Sequence, residues 1–449
     1  MLSNILLQIS TPVPKDIPLQ LPMPEWLLVI LLVVSFLAHI LFVNLMLGGT
    51  ILTLWYEIKG LKNKDHDTFA REIGLTITVN KSLAVVLGVA PLLSISVLYT
   101  IYFYSANALT GTAWIMIVPL VILAFLLTYL HKYTWDLLAG NKPLHIFIIA
   151  LSAALFLFIP LIFLVNINLM MFPEKWGIIR GFLSALTLPN VFPRYFHFIC
   201  ASLAITGLFI FWYNKRKNYP FEEIYHSLTR YDIKKIGYSI ALGASIAQFL
   251  FGPLLFLTLP SKGIGWNLII LILTGAAIAI PAMWWIWKAL SGPEKNIDKN
   301  FGKIIVAMSI TIFFMGSGRQ IYRSNALEPH QKMVAAATKD FERRAQEARD
   351  ELKEQKVTPV VVNTPETQIR RGKESYDSNC AVCHKMNERL VGPPIMEVIG
   401  LYKDDETKLK KWIREPYKKR PEYSAMSAFP HLPEEELNSL TMYLLSLNK

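Results

Sequence analysis

Charge and cysteine are both scarce in this chain. Only 17% of its 449 residues are charged, 53% are hydrophobic, and the mean hydropathy is +0.38. A wholly water-soluble protein of this length does not carry so much apolar sequence, so the composition calls for a membrane protein with an appended polar region. Three cysteines, Cys200, Cys380 and Cys383, are too few for a disulfide framework. Residues 1–24 hold Pro12, Pro14, Pro18, Pro22 and Pro24 but lack the basic start and small-residue cleavage site of a signal peptide. No internal repeat is evident. The net charge of +12 would suit nucleic acid, yet the lysines and arginines mostly flank apolar runs, as orientation signals do. Membrane lipid, not nucleic acid, is therefore the expected surrounding.

Eight apolar runs approach or exceed the ~20 residues that a helix needs to cross a bilayer. They lie at 26–55, 78–104, 112–138, 143–171, 190–213, 236–259, 265–290 and 301–321. Basic residues collect in alternate loops. Lys59, Lys62, Lys64 and Arg71 follow the first run, and Lys132 and Lys142 border the loop after the third. Lys215, Arg216, Lys217, Lys234 and Lys235 follow the fifth, and Lys288, Lys295, Lys299 and Lys303 follow the seventh. Of the intervening loops, 104–112 has no basic residue and 260–265 has only Lys262. Positive-inside bias thus puts the N-terminus outside and returns the chain to that side near Arg323. Residues 328–356 turn to Ala, Glu, Lys and Arg with acid–base neighbours at helical spacing, which predicts a solvated stalk. Residues 357–368, with Pro359 and Pro365, read as a short extended linker. The expected organisation is all-α: an outer segment 1–25, an eight-span helical bundle 26–325, a stalk and linker 326–363, and a small domain 364–449.

In that last domain, Cys380-Ala381-Val382-Cys383-His384 sets two thiols two residues apart with a histidine directly after. Each thiol can form a thioether to a haem vinyl group, and His384 can ligate the iron from the same turn, the pattern of c-type haem attachment. A zinc site is disfavoured because no second cysteine pair exists. Met426, in the loop Tyr423–Pro430 ahead of a final helix, stands where the second axial ligand is expected. His384/Met426 ligation raises a haem potential relative to a bis-histidine pair. Met386 and Met396 lie too close in sequence to His384 to reach the opposite face easily. Gly392-Pro393-Pro394 supplies a turn to brace the histidine, and 433–447 is an acid-started amphipathic helix. This order resembles a class I monohaem cytochrome c over 364–449, which implies one covalent haem c. Covalent haem c is attached on the outer side of a bacterial inner membrane, in agreement with the loop charges.

Polar residues inside apolar runs are costly, so each is a functional hypothesis. His39 lies in Ala38–Gly48, His197 in Arg194–Phe198, and Gly318-Arg319-Gln320 ends the eighth run. With Tyr133–Leu137 and Leu164–Asn166, these resemble subunit I of the cytochrome bd family over 26–325. The resemblance implies that His39 ligates a haem of the family's paired site and His197 a separate b haem, with Arg319 and Gln320 near haem. It implies one or two b-type haems and a second, related membrane subunit as partner. The departures are specific. The glutamate that the family places two residues before the GRQ glycine is Gly316, and 114–129 holds no ionisable acid. No methionine stands early in the seventh run; Met283, Met308 and Met315 lie elsewhere. The quinol-binding outer loop is reduced to 260–265. Missing acids weigh against dioxygen reduction, and the missing loop against quinol oxidation.

Three readings follow. The leading one is a membrane-anchored electron-transfer subunit of a respiratory complex. It joins a periplasmic cytochrome or redox enzyme to membrane b haems through the c haem. The second is a cytochrome c-fed terminal reductase of dioxygen or nitric oxide, and the third a haem-free anchor for the cytochrome. His131 and His145, at inner span ends, are expected to be solvated or to face headgroups. Asn166 and Asn168 should bond across helices. Gly243-Ala244-Ser245 and Gly275-Ala276-Ala277 permit close helix approach, to a partner subunit or internally.

Overall fold

A computed structural model describes residues 21–356, 364–403, 405–418 and 420–447 of the chain. The proline-rich start (1–20) and the linker 357–363 lie outside the described residues. Every regular element among the described residues is helical. Contacts divide the chain into two compact units, Met1–Glu342 and Arg343–Lys449.

The first unit begins with α1 (Glu25–Gly60), α2 (Lys64–Leu98) and α3 (Thr100–Thr110). A single turn, Thr112–Ile115, precedes α4 (Ile117–Tyr133). α5 (Lys142–Leu169), α6 (Val191–Lys215), α7 (Arg230–Leu257), α8 (Trp266–Ser291) and the part of α9 (Phe301–Lys356) up to Glu342 complete it. Among the described residues, seven helical stretches are long and apolar enough to cross a membrane. The crossing expected over 78–104 is instead a broken pair, Leu83–Leu98 and Thr100–Thr110, bent by 109° at Tyr99; counted as one span it makes eight. α1 has 36 residues. At 1.5 Å per residue it is about 54 Å long, well beyond the ~30 Å hydrocarbon layer, so Glu25 and Lys59 near its ends reach polar surroundings. Span eight and the stalk are one continuous 56-residue helix, where the sequence suggested separate elements. Its exposed part carries the expected i,i+4 pairs, Glu328–Lys332 and Arg343–Glu347, both at 2.7 Å.

Small residues set the helix crossings. A Cβ built on Gly207 of α6 would stand 2.5 Å from the Gly237 carbonyl oxygen of α7, and one on Gly237 would stand 2.7 Å from the Gly207 carbonyl oxygen. The two backbones therefore touch directly. Gly48 of α1 lies in the same way against the Ser202 carbonyl of α6, beside a bond from Ser202 Oγ to Asn44 Oδ1 of 2.9 Å. Gly275 of α8 packs internally on Phe314 and Met315, whereas a Cβ built on Gly243 of α7 would meet nothing within 4 Å among the described residues. Asn166 bonds across helices, its Nδ2 donating to Asn107 Oδ1 at 2.8 Å, whereas Asn168 Nδ2 donates to the carbonyl of Pro189 in the loop ahead of α6, at 2.9 Å. The loop after α6 docks through Asp65, whose carboxylate accepts the Ser227 hydroxyl (2.7 Å) and the Leu228 amide (2.8 Å).

The second unit contains α10 (Pro365–Asn379), α11 (Ile395–Gly400), α12 (Glu406–Arg414) and α13 (Glu434–Ser446). Thr364 caps α10, and Pro365 stands at its first position, where a missing N–H costs nothing. α10 crosses α13 at Gly372, whose absent side chain lets the Ser439 carbonyl come into contact with the Gly372 backbone. Tyr376, Ile395, Ile399, Leu409, Ile413, Leu437, Leu440 and Leu444 form the core beneath the crossing.

Candidate functional site

In the second unit, α10 runs directly into the CxxCH turn. The amide of Cys380 donates to the Tyr376 carbonyl (2.8 Å), and that of His384 to the Cys380 carbonyl (2.9 Å). This tight turn holds both thiols and the imidazole within five residues. Cys380 is half-buried and Cys383 exposed. Burial, with the Cys383 sulfur nearby, pushes the Cys380 thiol up to about 11. His384 Nδ1 lies 2.8 Å from the Pro393 carbonyl oxygen. A carbonyl only accepts, so Nδ1 carries the proton and Nε2 is left with the lone pair that iron requires. The Gly392-Pro393-Pro394 turn thus braces the histidine as its sequence suggested. Gly392 itself lies under the ring: a Cβ there would fall 2.7 Å from Nδ1 and 2.9 Å from Nε2. From the other side the Tyr376 hydroxyl donates to the His384 carbonyl at 2.7 Å, and burial pushes that phenol up to about 12. Met426 is half-buried in a loop secured by Arg389, which donates to the Glu422 carbonyl at 2.7 Å, and by the Phe429 amide on the Ile413 carbonyl (3.2 Å). Met386 packs on the domain core. These residues fit a covalent haem c, which supplies a one-electron redox centre.

Within the first unit, His39 Nδ1 stands 2.8 Å from the Ala84 carbonyl of α2, again leaving Nε2 with its lone pair. Its ring rests on Gly88, where a Cβ would meet Cε1 at 2.8 Å. His197 lies near Gly252 less closely, where a Cβ would make ordinary contact with Cε1 at 3.8 Å. The Gln248 backbone approaches its ring, yet the buried Nδ1 closes no hydrogen bond of acceptable geometry. Arg319 stacks on Phe36, 4.5 Å from the ring centre, and its buried Nε has no partner. Arg194 and Arg323 are close enough to repel it. Among the described residues, no carboxylate is paired with any of these three arginines, and an acidic group such as a haem propionate would complement them. Gln320 is committed to protein: its amide donates to Tyr99 Oη (2.7 Å) and its oxygen accepts from Arg323 (3.0 Å). Gly316 abuts Leu37, which occupies the space a side chain there would need. His39, His197 and the arginines fit b-type haem; the position of the absent glutamate does not. A cavity of 1060 Å³ between α1, α6 and α9 is lined by apolar groups such as Leu41, Phe209 and Ile305 and by none of these histidines.

His131 and His145 are not solvated, contrary to the sequence expectation. They are 2% and 0% exposed and meet Glu57, itself 0% exposed, from the end of α1. Glu57 Oε2 lies 2.7 Å from His131 Nε2, and Oε1 contacts His145 Nδ1. His145 Nε2 donates to the His131 carbonyl at 2.8 Å. The Trp135 ring closes the cluster, edge-on to both imidazoles at 5.3 and 4.9 Å. Lys142 stands at the rim, 3.7 Å from Glu57 and 2.7 Å from Asp67. Sequence reasoning passed over Glu57; its signal is an acid within a helical run ahead of the basic loop.

Residues 369–448 match the family model for cytochrome c. A curated relative, cytochrome c oxidase subunit 2 of Bacillus sp. (strain PS3), is 28% identical over 91 aligned residues. The match takes in 17% of this chain, and the chain spans only 26% of that relative's length. Among solved structures, the bd oxidase from Geobacillus thermodenitrificans superposes with a TM-score of 0.54 and 14% identity, covering 68% of this chain and 88% of that one. The C-terminal region is thus a cytochrome c domain, carried on a helical unit whose fold is similar to that of a bd oxidase.

Proposed function

We propose that this chain is a membrane-anchored electron-transfer subunit of a respiratory complex. Cys380, Cys383, His384 and Met426 would hold one haem c on the outer side of a bacterial inner membrane. His39 and His197 would each hold a b-type haem, with Arg319 as a counter-charge for propionates. A periplasmic cytochrome or redox enzyme exchanges electrons with the c haem. The observation that carries the reading is the recurrence of one device. At both His384 and His39 a backbone carbonyl accepts a hydrogen bond from Nδ1–H and a glycine makes room for the ring. The open Gly243 surface of α7 suits a second membrane subunit.

Pyridine-haemochrome analysis of the purified complex tests this. One c haem and one or two b haems per chain are expected, with loss of b haem on replacing His39 or His197 by alanine. A c haem alone in the unaltered protein would leave only a membrane anchor for the cytochrome. The likeness to a bd oxidase favours a second reading, a cytochrome c-fed terminal reductase of dioxygen or nitric oxide. Oxygen or nitric oxide uptake with reduced cytochrome c would establish it, and none with every subunit present would dismiss it.

A further inference from the structure

The Glu57–His131–His145 cluster plays no part in holding the haems proposed above. Its donor atoms lie within 4.8 Å of one another, they come from three different helices, and all three residues are buried. A buried carboxylate among apolar walls is unstable unless something positive compensates it. Lys142 does so only in part, since its ammonium sits 3.7 Å from Glu57 and gives its short contact, 2.7 Å, to Asp67.

The hydrogen-bond directions sharpen the point. His145 Nε2 donates to the His131 carbonyl at 2.8 Å, so Nδ1 is the ring nitrogen left to face Glu57 Oε1. An imidazole nitrogen and a carboxylate oxygen in contact are held by a positive centre between them, a proton or a metal ion. The backbone bond that fixes the tautomer is the kind of outer support that metal-bound histidines receive. Trp135 supplies a dry wall.

We propose that Glu57, His131 and His145 bind a divalent transition ion of the zinc class, with two imidazoles and one carboxylate as ligands. Zinc takes such donors at ~2.0–2.2 Å, so the Glu57 and His145 donor atoms, now in contact, would part to admit the ion between them. Such an ion ties the ends of α1, α4 and α5 together where Lys59, Lys132 and Lys142 mark the basic loops. Its rival is a proton shared between Glu57 and His145.

The test is elemental analysis of the purified full complex after dialysis against zinc chloride, with haem iron subtracted, in the unaltered protein and in His145→Ala. We expect one equivalent of zinc per chain, and at least about a tenfold loss of zinc affinity in the variant. Haem c per chain serves as the folding control. Zinc absent from the unaltered protein, or equally present in the variant, overturns the proposal. If the variant does not accumulate, zinc-edge X-ray absorption on the unaltered complex decides. Imidazole and oxygen scatterers support the site, and sulfur or water-only scatterers refute it.

Discussion

Replacing Gly392 by alanine should disturb iron ligation without releasing the haem. The new methyl would overlap His384 Cε1 and fall 2.7 Å from Nδ1. Ordinary contact is near 3.5 Å, so the ring must withdraw by more than about 1 Å. Displacement away from the turn stretches the Nδ1 bond to Pro393, now 2.8 Å, beyond hydrogen-bond reach. Loss of such outer support typically weakens a metal–histidine bond about 10–100-fold, or roughly 1.4–2.8 kcal/mol. The thioethers from Cys380 and Cys383 do not depend on that bond, so covalent haem content should persist. The assay is carbon monoxide binding to the reduced protein, together with a redox titration. The variant should bind carbon monoxide more readily than the parent and show a shifted midpoint. An unchanged spectrum, midpoint and carbon monoxide affinity would refute the bracing argument.

Gly372→Ala sets about 1 kcal/mol of gained helix preference against collision with the Ser439 backbone, which cannot rotate away. Over-packing of this kind costs about 1–3 kcal/mol and more against fixed atoms, so a net loss of about 1–2 kcal/mol is expected in guanidinium unfolding followed at the haem band. Arg319→Gln removes an uncompensated guanidinium and should lower b-haem retention, by about tenfold or more in affinity, while c haem is unchanged; equal b-haem content would discount Arg319. For Asp65, burial would raise the carboxyl, but the Ser227 hydroxyl and amide and the Leu228 amide prevail and hold it at about 2. A depressed folded value means that its docking contribution is complete above pH ~4 and fades as pH falls toward 2. Asp65→Asn should therefore speed proteolysis of the 216–229 loop at neutral pH, and the parent should approach that rate only in acid.

Span positions could be read from the sequence because twenty-odd apolar residues admit few other structures. The haem c turn was legible for a related reason: its chemistry is local, packed into five residues with its bracing turn close behind. The bend at Tyr99 was not legible. No charged residue stands between Leu83 and Tyr104, and Pro91 lies a full two turns before the bend. His131 and His145 lie 74 and 88 residues beyond Glu57, and the packing of α1 and α4 on α5 brings the three together. Each alone looked like a span-end polar group. The continuity of α9 was hidden by a change of composition, since the apolar and charged halves differ in surroundings and not in backbone.

The break at Tyr99 makes two neighbouring cations unequal. Peptide dipoles aligned along α2 end there, about half a negative charge at a helix terminus set inside the apolar layer. The Arg323 guanidinium lies 5.3 Å from the Tyr99 ring, beside that terminus, and donates to Gln320 Oε1 at 3.0 Å. Arg319, stacked on Phe36, has no such counterweight. Of the two, it is the one left to attract an anion from outside the polypeptide.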